Sequence, residues 1–259
     1  MNEKLDTAGI FERLFEVYKA QFSLLFPAAV IVFLPVALLN GAFVAGGGVG
    51  LLLVGAVISI VAGFWLQGMV IEAVRDIQDG KRDFTLGGLF RSVAPVLPLL
   101  IGIGILTGIG IAIGLVLLIV PGLILITWWS VVAPVVVVER RGFDAFGRSR
   151  NLVRGNAWQV FGVIVVVFII QLVANALLRA IFGDDSFVGQ SIASLLSGAL
   201  IGPVSAIAAA LVYLELRRLK GEGTPHAEGI PAAAEPSPFG ASPEAPPAPQ
   251  APGTTPPAL

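Results

Sequence analysis

Arg148, Arg150 and Arg154 set three guanidinium groups along one short stretch between two long apolar runs. Arginine is planar and presents paired N–H donors, so such a group beside a bilayer is chemistry for a lipid phosphate. The same residues also serve to hold their segment on one side of a membrane, because positive charge accumulates on the cytoplasmic face. A second candidate is Gln171 with Asn175, four positions apart on one helix face inside an uncharged run. Amides in that setting hydrogen-bond a neighbouring helix or a small polar ligand. Asn40 and Gln67 are further amides within apolar runs, and Glu72, Glu139 and Glu215 stand at run ends beside cations, where interfacial ion pairs form.

Other chemistries find no support. The chain has no Cys, so disulfides and thiolate catalysis are ruled out. His226, the single histidine, has no ligand set around it. Gly102, Gly104 and Gly108 lie in a Leu/Ile/Val run with no following Lys-Ser/Thr, so they do not make a phosphate loop. No nucleophile–base pair or carboxylate pair falls within an apolar run. The expectation is no enzyme, no cofactor and no metal.

The elements that must position these residues follow from charge spacing. Asp, Glu, Lys and Arg are absent from Ala20 to Ile71, Ser92 to Val138, Gly155 to Leu178 and Ser186 to Leu214. Charged residues make up 13% of the chain and hydrophobic ones 56%, against about 25% charged in a soluble domain. A helix crosses the hydrocarbon core with about 20 apolar residues, and one charge at its centre costs roughly 2.5–3.5 kcal/mol. The first two runs suffice for two crossings each and the last two for one each. This predicts an all-α integral membrane fold with six spans near 22–44, 50–74, 95–118, 123–138, 157–179 and 188–214. Ser92–Val138 as one helix would reach about 70 Å, so a turn is placed at Pro121-Gly122, with a re-entrant pair as the alternative. Ala45-Gly46-Gly47-Gly48 makes the first turn.

All the Lys and Arg residues except Arg179 fall in the even-numbered cytoplasmic segments of this scheme, which puts both termini in the cytoplasm. The acidic and basic N-terminus does not resemble a cleaved secretory signal. Net charge is −1, which does not fit a nucleic-acid partner. Residues 221–259 are Pro/Ala-rich, with Pro243, Pro246, Pro249 and Pro252 at a spacing of three. They are expected to form a disordered cytoplasmic tail, or a polyproline segment for a protein partner.

Each pair of spans follows an amphipathic segment: Ile10–Tyr18, Leu86–Val93 and Ala145–Val153. These are expected to lie on the membrane surface with apolar faces at the acyl boundary, giving three repeats of interfacial helix plus helical hairpin. Small residues recur every fourth position as helix-packing seams: Ser194, Gly198, Gly202, Ala206 and Ala210 in the sixth span; Gly55, Ser59 and Gly63 in the second; Gly104, Gly108 and Ala112 in the third.

Pro134, Glu139, Ala145-Phe146-Gly147-Arg148-Ser149, Leu152, Gly155, Trp158, Phe161 and Gly162 resemble the motif of the bacterial glycerophosphoryl diester phosphodiesterase membrane-domain family. Tyr213-Leu214-Glu215-Leu216-Arg217 with Glu222-Gly223 resembles that family's C-terminal signature. The resemblance spans about residues 8–223. It implies a multi-span protein of the bacterial cytoplasmic membrane. It does not carry over phosphodiesterase activity, because the catalytic barrel of the full-length enzymes is not in this chain. The expected function is a non-enzymatic membrane protein that binds anionic lipid through Arg148, Arg150 and Arg154 or scaffolds a partner. The alternative is a transporter or channel for a small apolar or lipid-like substrate.

Overall fold

The uncharged runs are helical because a backbone in hydrocarbon must satisfy its own N–H and C=O groups. The computed structural model describes residues 4–78, 85–182 and 186–222. Its elements are α1 (Thr7–Val44), α2 (Val49–Gln78), α3 (Leu86–Val93), α4 (Leu97–Leu117), α5 (Ile119–Trp128), α6 (Val132–Glu139), α7 (Ala145–Val153), α8 (Ala157–Phe182), α9 (Phe187–Leu196), a π-helical turn (Ser197–Ile201) and α10 (Gly202–Leu219). Six segments are long and apolar enough to cross a membrane: α1, α2, α4, α5 with α6, α8, and α9 through α10. The fold is all-α. The buried core gathers toward the basic ends of the helices, around Val70 and Val74 of α2, Val136 of α6, Leu152 of α7 and Ile207 and Leu216 of α10. The expected Pro-rich docking segment lies outside the described residues.

The connectors differ from the surface-lying helices that the sequence predicts. The first is not separate: α1 runs unbroken for 38 residues, about 57 Å long, because no Gly or Pro stands between Tyr18 and Phe22. Asp6 caps it, its carboxylate accepting from the N–H groups of Ala8 and Gly9 at 3.1 Å. Its apolar face turns to protein, with Ile10 and Leu14 buried. α3 and α7 are separate, yet Leu89 and Val93 of α3 and Ala145, Leu152 and Val153 of α7 are also buried in the bundle. The three connectors therefore take two forms, one continuous with its span and two docked on the core.

The turn expected at Pro121-Gly122 lies earlier, at Leu118, whose backbone is extended (φ −160, ψ 138). Pro121 sits in the first turn of α5, where no intrahelical N–H is required. Gly122 then allows α5 to press on α4: a Cβ there would stand 2.8 Å from the Leu115 nitrogen.

The fourth span is broken at Trp129–Val131, between α5 and α6. Pro134 has no N–H for the Ser130 carbonyl, and the N–H of Val132 turns to Trp129 O (3.1 Å). Trp128 O, released from the helix ladder, accepts from Ser149 Oγ of α7 at 2.6 Å. Ser149 is fully buried. Removing its hydroxyl strands a buried acceptor, so Ser149→Ala is expected to destabilise the protein by about 1–3 kcal/mol, read as a lower unfolding midpoint in detergent.

In the sixth span the π turn at Ser197–Ile201 precedes Pro203, and the Gly202 N–H bonds Ser197 O five residues back. The wider turn absorbs the proline, which has no N–H for Ala199 O and crowds an α-helical path. The small-residue stripe here is a contact surface. Ser194 Oγ accepts from Asn40 Nδ2 of α1 (3.3 Å), Gly198 lies against the ring of Phe33, a Cβ at Gly202 would be 3.0 Å from Leu66 Cδ2, and Ala206 and Ala210 are buried. The other two stripes divide. Gly55 and Gly104 approach Leu39 and Phe64, whereas Gly63 and Gly108 face open space.

Candidate functional site

The basic ends of α6, α7 and α10 meet in an ion network. Glu139, the last residue of α6, is followed by Arg140 in the left-handed region (φ 54), which turns the chain toward α7. The Glu139 carboxylate accepts from Arg141 Nε (2.7 Å), Arg148 Nε (3.1 Å) and the Tyr213 hydroxyl (3.0 Å). Arg148 reaches on to Glu222, Nη1 donating to Oε1 at 2.9 Å and Nη2 to Oε2. Arg217 is buried, with Nη1 on the Tyr213 hydroxyl (3.3 Å) and Nε 3.3 Å from Glu222 Oε2. Gly221 (φ 73) permits the turn that returns Glu222 to this cluster. The hydrogen bonds from Arg148 hold the Glu222 carboxyl below the ordinary carboxylate range, with slight burial opposing. The same bonds raise the Arg148 guanidinium above its ordinary value. Residues from two segments far apart in sequence, 139–148 and 213–222, thus converge on one point.

Neighbouring cations are paired as well. Glu72 takes Arg140 (3.2 Å) and Arg75 (3.5 Å). Glu215 takes Arg218 (2.6 Å) and Arg13 (3.7 Å). All three carboxylates read as interfacial ion-pair positions are in such pairs.

The three arginines singled out by the sequence are therefore not equivalent. Arg148 spends its donors on protein carboxylates. Arg150 and Arg154 are exposed, and among the described residues neither has an ion-pair partner. The Arg150 guanidinium carbon lies 4.3 Å above the centre of the Trp128 ring, a cation–π contact that holds the side chain in place. Arg154 caps the end of α7, and its carbonyl accepts from Lys220 Nζ at 3.1 Å. Gly155 (φ 99) then turns the chain into α8.

Below Trp128 an apolar groove of about 410 Å³ runs between α5 and α8, lined by Leu123, Ile124, Trp128, Trp158 and Phe161 among others. Trp158 is 80% exposed and stacks on Phe161 at 5.7 Å. From Trp128 back to Val120 the groove follows about 12 Å of helix. Arg150 stands over the Trp128 wall of this groove, and Arg154, with Lys220 on its carbonyl, lies three residues before Ala157 of the same lining.

Sequence reasoning did not reach Lys220, Trp128 or the groove. Nothing in one sequence pairs α5 with α8 or sets a guanidinium over Trp128. Gln171 and Asn175 lie elsewhere, in the opposite half of the bundle, and Gln67 in the cavity that adjoins them. Among the described residues no group of three or more His, Asp or Glu is arranged to hold a metal. No protein-family model, curated protein or solved structure matches this chain.

Proposed function

We propose that this six-span protein is a non-enzymatic lipid-binding protein that holds an anionic phospholipid on its basic face. The lipid phosphate sits at Arg150, Arg154 and Lys220, and one acyl chain lies in the α5–α8 groove. The observation that carries this reading is that three cations without carboxylate partners cluster beside an apolar groove. Arg13, Arg75, Arg140, Arg141, Arg148, Arg217 and Arg218 all meet carboxylates, whereas the three cations beside the apolar groove do not. Cations with no carboxylate partner beside a hydrocarbon-lined groove match a phosphate joined to an acyl chain. The distribution of Lys and Arg supports a cytoplasmic basic face, and a bacterial inner membrane is the setting this reading adopts. A protein partner docking on the Pro-rich tail fits the same scaffold role.

Each basic side chain near an anionic surface is worth about 1 kcal/mol, so three amount to roughly 100-fold in affinity. The test is native mass spectrometry of the protein released from its membrane, together with titration in nanodiscs of phosphatidylglycerol against phosphatidylcholine. Neutralising Arg150, Arg154 and Lys220 to Gln is expected to remove bound anionic lipid with little change in unfolding temperature. Undiminished phosphatidylglycerol retention by the triple variant would overturn the reading.

A further inference from the structure

The half of the bundle away from the basic segments holds a cleft of about 400 Å³ bounded by α1, α2, α8, α9 and the π turn. Its polar lining includes Asn40, Gln171, Asn175, Gln190, Ser194 and Ser197. Polar side chains inside a span seek partners within the bundle, and here several are only half satisfied. Asn40 Nδ2 and Gln190 Nε2 both donate to Ser194 Oγ (3.3 and 3.4 Å), which leaves the Ser194 hydroxyl proton uncommitted. Ser197 Oγ donates to Asn175 Oδ1 (2.6 Å), and Asn175 Nδ2 to the Gln171 carbonyl (2.8 Å). The side-chain amide of Gln171 has no hydrogen-bond partner among the described residues.

The pattern of spare capacity defines a chemistry. Each amide still offers both an N–H donor and a carbonyl acceptor. Among the described residues no carboxylate lines the cleft, and Arg179 is the one cation on its wall. A carboxylate or phosphate would use only the donors and an ammonium only the acceptors. A hydroxyl uses both.

Gln171 also lines a second cavity, of about 320 Å³, that continues past Val163, Val167, Ala209 and Trp129. Its lining is mostly apolar, with Gln67, Ser130 and Ser205 as minority polar groups. A polar chamber and an apolar arm thus share one residue, and both fall in the size range of small-molecule sites.

We propose that the two cavities form one binding site for an uncharged single-chain amphiphile with a hydroxyl-bearing head. The head hydroxyls meet Gln171, Asn175 and the Asn40–Ser194 pair, and the alkyl chain occupies the arm beside Trp129. This site differs from the anionic-lipid groove in its lining residues and in the charge of its ligand: α5 and α8 border both, but the polar chamber lies toward the other end of the bundle.

The test uses the full-length protein in nanodiscs, titrated with a monoacylglycerol whose chain carries bromine, a contact quencher of tryptophan. Quenching of Trp129 is expected, identified by its loss in Trp129→Phe. The brominated fatty acid of the same chain, which is anionic, is expected to bind about tenfold more weakly. Gln171→Leu removes head contacts without removing a protein hydrogen bond, and is expected to weaken monoacylglycerol about tenfold at unchanged unfolding temperature. Ala209→Phe fills the arm and is expected to abolish quenching, an independent readout should Gln171→Leu fold poorly. Equal Trp129-dependent quenching by the fatty acid, or wild-type affinity in both variants, would overturn the proposal; quenching that survives Trp129→Phe belongs to Trp128 and Trp158 of the other groove. Displacement of the brominated ligand by free glycerol at matched concentration would overturn the role of the arm.

Discussion

Arg148→Ala is expected to destabilise the protein by about 2–4 kcal/mol, because it leaves Glu139 and Glu222 without their shared guanidinium. Removing one partner of a buried pair costs about 3–5 kcal/mol, and exposed pairs cost far less. The lower figure reflects that the Arg148 side chain is 20% exposed and that of Glu222 29%. Arg148→Lys is expected to recover little of the loss. An ammonium is a point donor and cannot engage Glu222 through two nitrogens while also reaching Glu139. The pH dependence has a definite sign. Glu222 titrates below its ordinary value in the folded protein, so the pair contributes fully above the ordinary carboxylate range. Its contribution fades as pH falls through the lowered value. The gap in unfolding midpoint between wild type and Arg148→Ala should be constant near neutral pH and narrow below about pH 4. An Arg148→Ala variant with unchanged stability and lost anionic lipid would instead put Arg148 in the headgroup site.

The second large effect is expected at Gly198. A Cβ there would fall within the ring of Phe33 on α1, so Gly198→Leu must part α1 from the π turn. Overpacking of this kind costs about 1–3 kcal/mol, occasionally more. In a bilayer the lost contacts are not restored by solvent exclusion, because lipid is as apolar as leucine. Gly41 meets the facing helix similarly: its Cβ would stand 2.6 Å from the Phe187 carbonyl. Gly63 is the control, since nothing lies within 4 Å of a Cβ there. Thermal unfolding in detergent should separate Gly198→Leu, strongly lowered, from Gly63→Leu, close to wild type. Equal midpoints would mean that the stripe on the sixth span is not a packing seam.

The fourth span shows how far local patterning carries. Pro121 and Gly122 read as a turn, but a proline early in a helix sacrifices no hydrogen bond, so the chain turns at Leu118 and leaves the pair inside α5. The break at Trp129–Val131 was not legible. It needs Pro134 and also a hydroxyl from Ser149 in another helix to occupy the Trp128 carbonyl. The amphipathic connectors were legible as helices. The surface they cover was not, because Ile10, Leu89 and Leu152 are equally apolar toward lipid or toward a bundle.

Membrane class and the number of spans were legible from charge spacing alone. Both follow from hydrocarbon thickness and from the cost of charge in it, which act on each segment separately. Which arginines meet protein carboxylates and which do not follows only from the packing of the helices. That packing also decided that Gln171 opens onto two cavities, and which glycines meet another helix. Those outcomes depend on partners far away in the chain, Glu139 and Glu222 for Arg148 and Phe33 for Gly198, and no spacing along one segment encodes such a meeting.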